Sequence, residues 1–311
     1  MSFRTCFAAA LALIFAIAVS PARAAEKVTV GYTPGPDYLA AFTAQDQGFF
    51  AKHGIDATLQ FTTSATTIPA SLQAGSMQIG TPTLSTVISA DANGLGLKVI
   101  AANIETGGNF HLAAILVRSE DKLTSAKDLE GKTVAVPGLY SFLHILFVKW
   151  LENHGVDPAN VHIVEIAMPG MMDALKNHSA DAVIPVDPFM GRIIGSGAGR
   201  VLANYIDDFP PGILPTVYTV SSAYAEKHAE AIKGFRDALK EGLAYHQAHP
   251  EAAAASLARY MNLPIEIAQH LPLPRYVIDA TPAQIQFWID LMKEQKMLNQ
   301  PVDAAALLEQ P

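Results

Sequence analysis

The sequence predicts an α/β protein made of two doubly wound lobes joined by a two-stranded hinge. Three observations carry this reading. Short β-branched runs alternate with helical periodicities at βαβ spacing, which implies parallel strands with right-handed crossovers. The order of elements appears twice along the chain. With 311 residues, half of them hydrophobic, the chain has more than enough apolar surface for one core and favours two domains.

Taken in order, residues 27–32 alternate as a strand and run into the loop Thr33-Pro34-Gly35-Pro36-Asp37. Prolines and glycine at that density exclude a helix there. Residues 38–52 read as one helix with Phe42, Phe49 and Phe50, stopped at His53-Gly54. A second strand covers 55–61 and ends in Thr62-Thr63-Ser64; a helix follows over 68–74. Residues 77–80 form a third strand, ending in Thr81-Pro82-Thr83, before a helix over 85–92 and a fourth strand over 97–103. Residues 110–117 are a strand leaving this unit, and Ser125-Ala126-Lys127-Asp128 begins a short capped helix.

The order then repeats. A strand at 133–136 breaks at Pro137-Gly138, and a helix over 141–154 buries Phe142, Ile145, Leu146 and Leu151. A strand that ends in a glycine turn and passes into a helix points unpaired N–H groups at whatever lies in front of it. Strands at 161–166 and 182–186 flank a helix at 171–176, and the second of these ends in Asp187-Pro188-Phe189. The repeat extends to detail: Lys52-His53-Gly54-Ile55-Asp56 stands opposite Asn153-His154-Gly155-Val156-Asp157. Strands at 200–206 and 216–221 follow, the latter returning to the first lobe. The chain is helical from Ala223 with a break at His249-Pro250. A capping box, Thr281-Pro282-Ala283-Gln284, opens the last helix, and residues 302–311 form a weak tail. The expected division is 25–117 with 216–311 in lobe one and 118–215 in lobe two. Two crossings without a glycine/serine linker imply limited closure.

The N-terminus reads as an export leader. Arg4 precedes an apolar run from Cys6 to Val19, and Ala22-Arg23-Ala24 suits a cut after Ala24. That run is shorter than the roughly 20 residues of a membrane span. The cut removes two arginines and no acid, carrying the net charge from −8 to −10, and removes the sole cysteine. The mature chain is thus expected to be soluble, exported, without disulfides or lipid anchor, and monomeric. Its acidity excludes a nucleic-acid partner.

In open α/β sheets, ligands bind beyond the carboxyl ends of strands. That rule selects Thr33, Asp37, Tyr38, Thr62, Ser64, Thr81, Thr83 and Asn103 in lobe one. In lobe two it selects Gly138, Tyr140, Ser141, Met168, Asp187 and Phe189. The loops bearing them hold no lysine or arginine, so a sulfate or phosphate would rest on helix N-termini alone. Asp37 and Asp187 repel anions and accept from N–H groups. Tyr38, Tyr140 and Phe189 are of the type that stacks on a ring, although Phe189 equally suits the core. His144 either donates to a ligand carboxylate or is a satisfied histidine beside the core. Arg192 either reaches the cleft or lies solvated on its helix. No nucleophile elbow, Walker lysine or dinucleotide loop occurs. His246 and His249 close a helix expected to be solvated, without further zinc ligands, and no cofactor is expected.

Several motifs together resemble a known family. They are Gly48-Phe49-Phe50-Ala51-Lys52-His53-Gly54-Ile55-Asp56; Leu72-Gln73-Ala74-Gly75-Ser76-Met77-Gln78-Ile79-Gly80; Asp128-Leu129-Glu130-Gly131-Lys132-Thr133-Val134-Ala135-Val136-Pro137; and Asp181-Ala182 leading to Asp187-Pro188. Over nearly the whole mature chain these are similar to the ABC-transporter solute-binding proteins of the nitrate/taurine/sulfonate group, the SsuA/THI5-like (NMT1-like) domain. The resemblance implies a type II periplasmic-binding-protein fold that closes on a solute and delivers it to a membrane permease and, through it, an ATPase. Relatives often carry Glu-Pro or Trp-Glu-Pro where this chain has Asp187-Pro188, and the basic residue suited to sulfonate or nitrate is missing. The expected ligand is therefore a small organic molecule: aromatic, pyrimidine-like, or an organic sulfonate or carboxylate, rather than an inorganic anion. Two other classes stay open on the same fold. One is an enzyme resembling the THI5-like pyrimidine-phosphate synthases or menaquinone-pathway proteins; the synthases use a cysteine-rich segment, which the mature chain lacks. The other is a periplasmic sensor input.

Overall fold

A computed structural model describes residues 25–309 except 34, 63 and 64; the leader and Ser64 lie outside the described residues. The strands are β1 (Glu26–Tyr32), β2 (Ile55–Phe61), β3 (Leu97–Ala102), β4 (Ile104–Glu105), β5 (Ile115–Arg118), β6 (Thr133–Val136), β7 (His162–Glu165), β8 (Ala182–Val183), β9 (Gly199–Ala203), β10 (Val217–Ser221) and β11 (Arg275–Tyr276).

β1 and β2 pair in parallel from Glu26↔Ile55 to Tyr32↔Phe61. The expected single helix between them is two, Leu39–Asp46 and Phe49–Lys52. Gly48 takes φ 72°, a left-handed conformation that breaks the ladder between them. Helices Ile68–Gln73 and Leu84–Ala92 follow as expected. The strand expected at 77–80 contributes only single bridges, Ile79 to Val30 and Gly80 to Thr219. Pro82, just beyond, has no N–H to extend a ladder. β3 pairs antiparallel with β10, and β4 with β11. β10 is thus the return into the first unit.

The second unit is a five-stranded sheet in the order β7-β6-β8-β5-β9. β6 is parallel to β7 and β8, whereas β5 runs antiparallel to β8 and β9, so the sheet is mixed rather than purely parallel. The strand expected over 110–117 is a strand only over Ile115–Arg118, with Phe110 making a single bridge back to Gly107, and that over 182–186 is a strand only over its first two residues, with the Ile184 N–H donating to the Ala135 carbonyl at 2.9 Å. Pro185 ends the latter for want of an N–H. The strand expected over 200–206 is β9 followed by a 3-10 turn, Tyr205–Asp208.

Period-two alternation explains how this sheet is buried. Leu116, Ala135 and Val183 face one apolar cluster with Met171, Leu175 and Ile193 from helices Met171–Lys176 and Phe189–Gly195. Val117, Val134, Val136 and Ala182 face the opposite way, into a larger core with Phe142, Leu146 and Trp150 of helix Phe142–Asn153. That larger core also takes in Leu84, Val87 and Ile88 from the first unit and Trp288, Ile289 and Met292 from helix Pro282–Glu294. A separate cluster lies between β1, helix Leu39–Asp46 and helix Ala229–Ala248. There Gly242 passes so close to the Ala40 carbonyl that no Cβ fits. The expected weak tail is instead ordered packing: Val302, Ala304 and Leu307 are buried, and the Val99 N–H donates to the Leu307 carbonyl at 2.7 Å.

Arg118 explains Asp181 of the family-like motif. Its guanidinium donates to Asp181 at 3.0 Å, and the second Asp181 oxygen accepts the Thr133 N–H at 3.0 Å. Hydrogen bonding to Thr133 and Arg118 outweighs burial and holds this carboxyl below its ordinary range. Asp181 is therefore a structural tie between β5, β6 and β8.

Candidate functional site

The polar side chains at the carboxyl ends of the first unit's strands form a patch of hydrogen-bonded groups that meet at the Thr81-Pro82-Thr83 loop. Thr33 and Tyr38 share a hydrogen bond at 3.0 Å between their hydroxyls, and Tyr38 also meets the Thr81 side chain. Thr81 donates to the Gly31 carbonyl at 2.9 Å. Thr83 and Thr216 form a backbone β-bridge, and the Thr216 hydroxyl accepts from Asn103 at 3.2 Å. Thr83 is also 3.0 Å from the Ser85 hydroxyl, which donates to the Tyr140 carbonyl at 3.3 Å. The patch therefore reaches from Thr33 to the loop before helix Phe142–Asn153 in the second unit.

Asp37 lies within this patch, half-buried, and makes no side-chain hydrogen bond or ion pair with any described residue. Burial pushes its carboxyl up to about 6 against a smaller lowering by its own backbone N–H. The phenols of Tyr38, Tyr218 and Tyr276 surround it closely enough that its charge raises their titration further. Tyr218 was not among the expected residues. Its hydroxyl is buried and unpartnered, and such a group costs free energy until something bonds to it. Tyr276, also unexpected, donates to the Pro36 carbonyl at 2.8 Å and so braces the loop that carries Asp37. Both tyrosines reach the patch from strands remote in sequence, β10 and β11, so no local motif announces them. Thr216 was missed for the same reason; Ser85 was missed because it lies inside helix Leu84–Ala92, past the loop that the strand-end rule selects.

Tyr38 differs from the expectation of a stacking ring. It is 1% exposed and packs against Tyr32 and Phe42, so only its hydroxyl serves the patch. Thr62 spends its hydroxyl on the Tyr32 carbonyl at 3.2 Å.

On the second unit, Tyr140 is 62% exposed with φ 64°. The N–H groups of the turn are already used. Leu139 donates to Glu165 at 3.1 Å, Tyr140 to Nδ1 of His144 at 2.9 Å, and Ser141 to Gly138 at 3.3 Å. Ser141 occupies the N-cap of helix Phe142–Asn153 yet makes no capping bond, and its buried hydroxyl has no partner. His144 accepts rather than donates through Nδ1, and burial pushes it down to about 4. This is the satisfied histidine of the two sequence alternatives.

Met168, Asp187 and Phe189 sit on the second unit, and the bonds they make stay within it. Asp187 is buried, and burial raises its carboxyl although it accepts the Gly191 N–H at 2.9 Å. Phe189 is half-buried, with the exposed Arg192 guanidinium 5.8 Å from its ring centroid. His246 is a correction: it is 4% exposed, not solvated, and packs edge to face on the Tyr276 ring with centroids 4.8 Å apart.

A family model described as "NMT1/THI5 like" matches residues 35–253. The chain is 26% identical over 228 residues to the taurine-binding periplasmic protein of Escherichia coli (strain K12), covering 73% of this chain and 68% of that one. It is 23% identical over 234 residues to the formylaminopyrimidine-binding protein of Halalkalibacterium halodurans, with the same coverages of 73% and 68%. Among solved structures, the periplasmic aliphatic sulphonate binding protein SsuA from Escherichia coli superposes with a TM-score of 0.75 at 22% identity, covering 90% of this chain and 96% of that one.

Proposed function

Because the chain belongs to the NMT1/THI5-like family, we propose that it is the solute-binding component of an ABC importer, holding a small organic ligand between two lobes and handing it to a permease. In this reading the first lobe is built on β1–β4, β10 and β11 and the second on β5–β9, with passages before residue 115 and after residue 203. The mature protein is periplasmic and acts as a monomer. Among the described residues no helix is long and apolar enough to cross a membrane, which suits delivery to a separate permease.

One observation carries the ligand class. Asp37, Tyr218 and Ser141 offer a carboxylate and two buried hydroxyls with no side-chain partners, and the loops around them contain no lysine or arginine. An anion would meet a carboxylate and no countercharge. A ring bearing N–H groups would give Asp37 the donors it lacks and bond the orphaned hydroxyls, while Tyr140 offers an exposed face for stacking. Asn103 and Thr83 line the same patch, and Asp187 and Phe189 face the ligand from the second lobe once the lobes close. The names of the two relatives pair a pyrimidine with taurine, both of which carry amino groups; the pyrimidine-like class agrees better with the missing basic residue.

Calorimetry at pH 7.5 against 4-aminopyrimidine, taurine, ethanesulfonate, benzoate and nitrate tests this. The expected result is heat with 4-aminopyrimidine and a loss of about 10- to 100-fold in affinity for Asp37→Asn, the scale of a hydrogen bond to a charged group. Tighter binding of ethanesulfonate or nitrate than of the pyrimidine would overturn the ligand class. Loss of 4-aminopyrimidine uptake by cells lacking the gene tests the transport role.

A further inference from the structure

We propose that His144 is a positioning residue for the cleft, holding Tyr140 in the conformation that turns its ring outwards and its carbonyl toward the first unit. This rests on the reading of the cleft as the ligand site. Tyr140 has φ 64°, a left-handed conformation that brings Cβ too close to the following carbonyl oxygen and is strained for a side-chain-bearing residue. Glycine is the ordinary occupant of such a position. A large exposed aromatic there means that the ring itself is wanted and that something else must hold the backbone.

The bond that does so is specific. The Tyr140 N–H donates to Nδ1 of His144 at 2.9 Å, and the two rings meet edge to face with centroids 5.8 Å apart. The neighbouring amides are tied down independently, Leu139 to Glu165 and Ser141 to Gly138. The three bonds fix the turn from both sides. The Tyr140 carbonyl then points at Ser85 of the first unit and accepts its hydroxyl at 3.3 Å. Thus one imidazole sets both the ring offered to the cleft and the polar contact between the two units. An accepting Nδ1 requires the Nε2–H tautomer and an unprotonated ring. Burial supplies that state, since His144 is 8% exposed and pushed down to about 4.

The test uses the full mature chain, ¹⁵N-labelled, at pH 7. The wild type is expected to show an unprotonated Nδ1 and a proton on Nε2 of His144, with the Tyr140 amide protected from exchange. In His144→Ala that protection falls about five- to tenfold, the equivalent of one hydrogen bond. His144→Gln restores an acceptor of similar reach and keeps the protection within about twofold of wild type. With 4-aminopyrimidine as the probe, the alanine variant binds about tenfold more weakly than the wild type, while the glutamine variant stays within threefold. A proton on Nδ1, unchanged Tyr140 protection in the alanine variant, or equal affinity in the presence of lost protection would each overturn the proposal. If the wild type ignores 4-aminopyrimidine, the ligand reading has failed, and the tautomer and exchange results alone decide the role of His144.

Discussion

Asp37 is half-buried with no side-chain partner and keeps its proton up to about 6, well above the ordinary carboxylate range near 4. The folded chain therefore binds more protons than the unfolded chain between about pH 4 and 6, and through this group stability falls as pH rises across that window. His144 and His246, both pushed down to about 4 by burial, act oppositely. The folded chain binds fewer protons at these sites, so their contribution is complete above about 6.5 and is lost as pH falls towards 4. Replacing Asp37 by Asn should remove the opposing slope. We expect the variant to gain on the order of 2 kcal/mol at pH 7 and to show a steeper rise in stability from pH 4 to 6 than the wild type, read from urea melts. Tyr218→Phe makes a second residue-scale prediction. Its hydroxyl has no partner, so stability should change by less than about 1 kcal/mol or improve, while binding of 4-aminopyrimidine weakens. Of these residues Asp37 and, as one of two alternatives, His144 were legible in the sequence. A proline-rich loop after a strand marks Asp37 as a candidate by local rules, whereas Tyr218 is one residue of an alternating strand and looks like any other.

Two helices separate capping from function at the scale of elements. Thr281 caps helix Pro282–Glu294 by accepting the Gln284 N–H at 3.3 Å, and Gln284 accepts the Thr281 N–H at 3.0 Å. The Gln284 amide then donates to the Gly212 carbonyl at 2.9 Å, so this capping box also fastens the helix to the body. Ser141 stands at the same position of helix Phe142–Asn153 with no capping bond. Thr281→Ala should cost about 1 kcal/mol in denaturant melts and Ser141→Ala less than about 0.5 kcal/mol. A cost for Ser141→Ala matching that of Thr281→Ala would mean that the serine caps its helix after all and is not held ready for a ligand. Both sequence patterns predicted helix starts correctly. Only the packed loop, with its amides committed to Glu165, His144 and Gly138, distinguishes a structural start from an open one.

Over the whole molecule the two units share a continuous apolar core rather than meeting only at a hinge. Helix Pro282–Glu294 lies in it beside residues of both units. Trp288, fully buried, donates to the Leu214 carbonyl at 2.8 Å, and Gln295, just past the helix, donates to the Ile145 carbonyl of the second unit at 2.9 Å. Trp288→Ala should destabilise the chain by about 3–5 kcal/mol, measured by urea unfolding, with one transition because the core is shared. Two resolved transitions would show that the units unfold separately. Any closure must take place around this shared core, which supports a small rocking motion.

The sequence by itself determined the α/β class, the repeated order of strands and helices, the return of the strand near 217 to the first unit, and the family. All of these rest on periodicity, turn residues and motifs that act over a few neighbouring positions. Only the tertiary structure decided that Tyr38 is core, that His246 is buried, that the tail packs on β3, and that Tyr218, Tyr276 and Ser85 join the patch around Asp37. These outcomes depend on which surfaces meet in the packed chain: Ser85 meets Tyr140 across 55 residues, and Tyr276 meets Pro36 across 240. A strand's alternation says that a side chain points to one face, and only packing says what lies there.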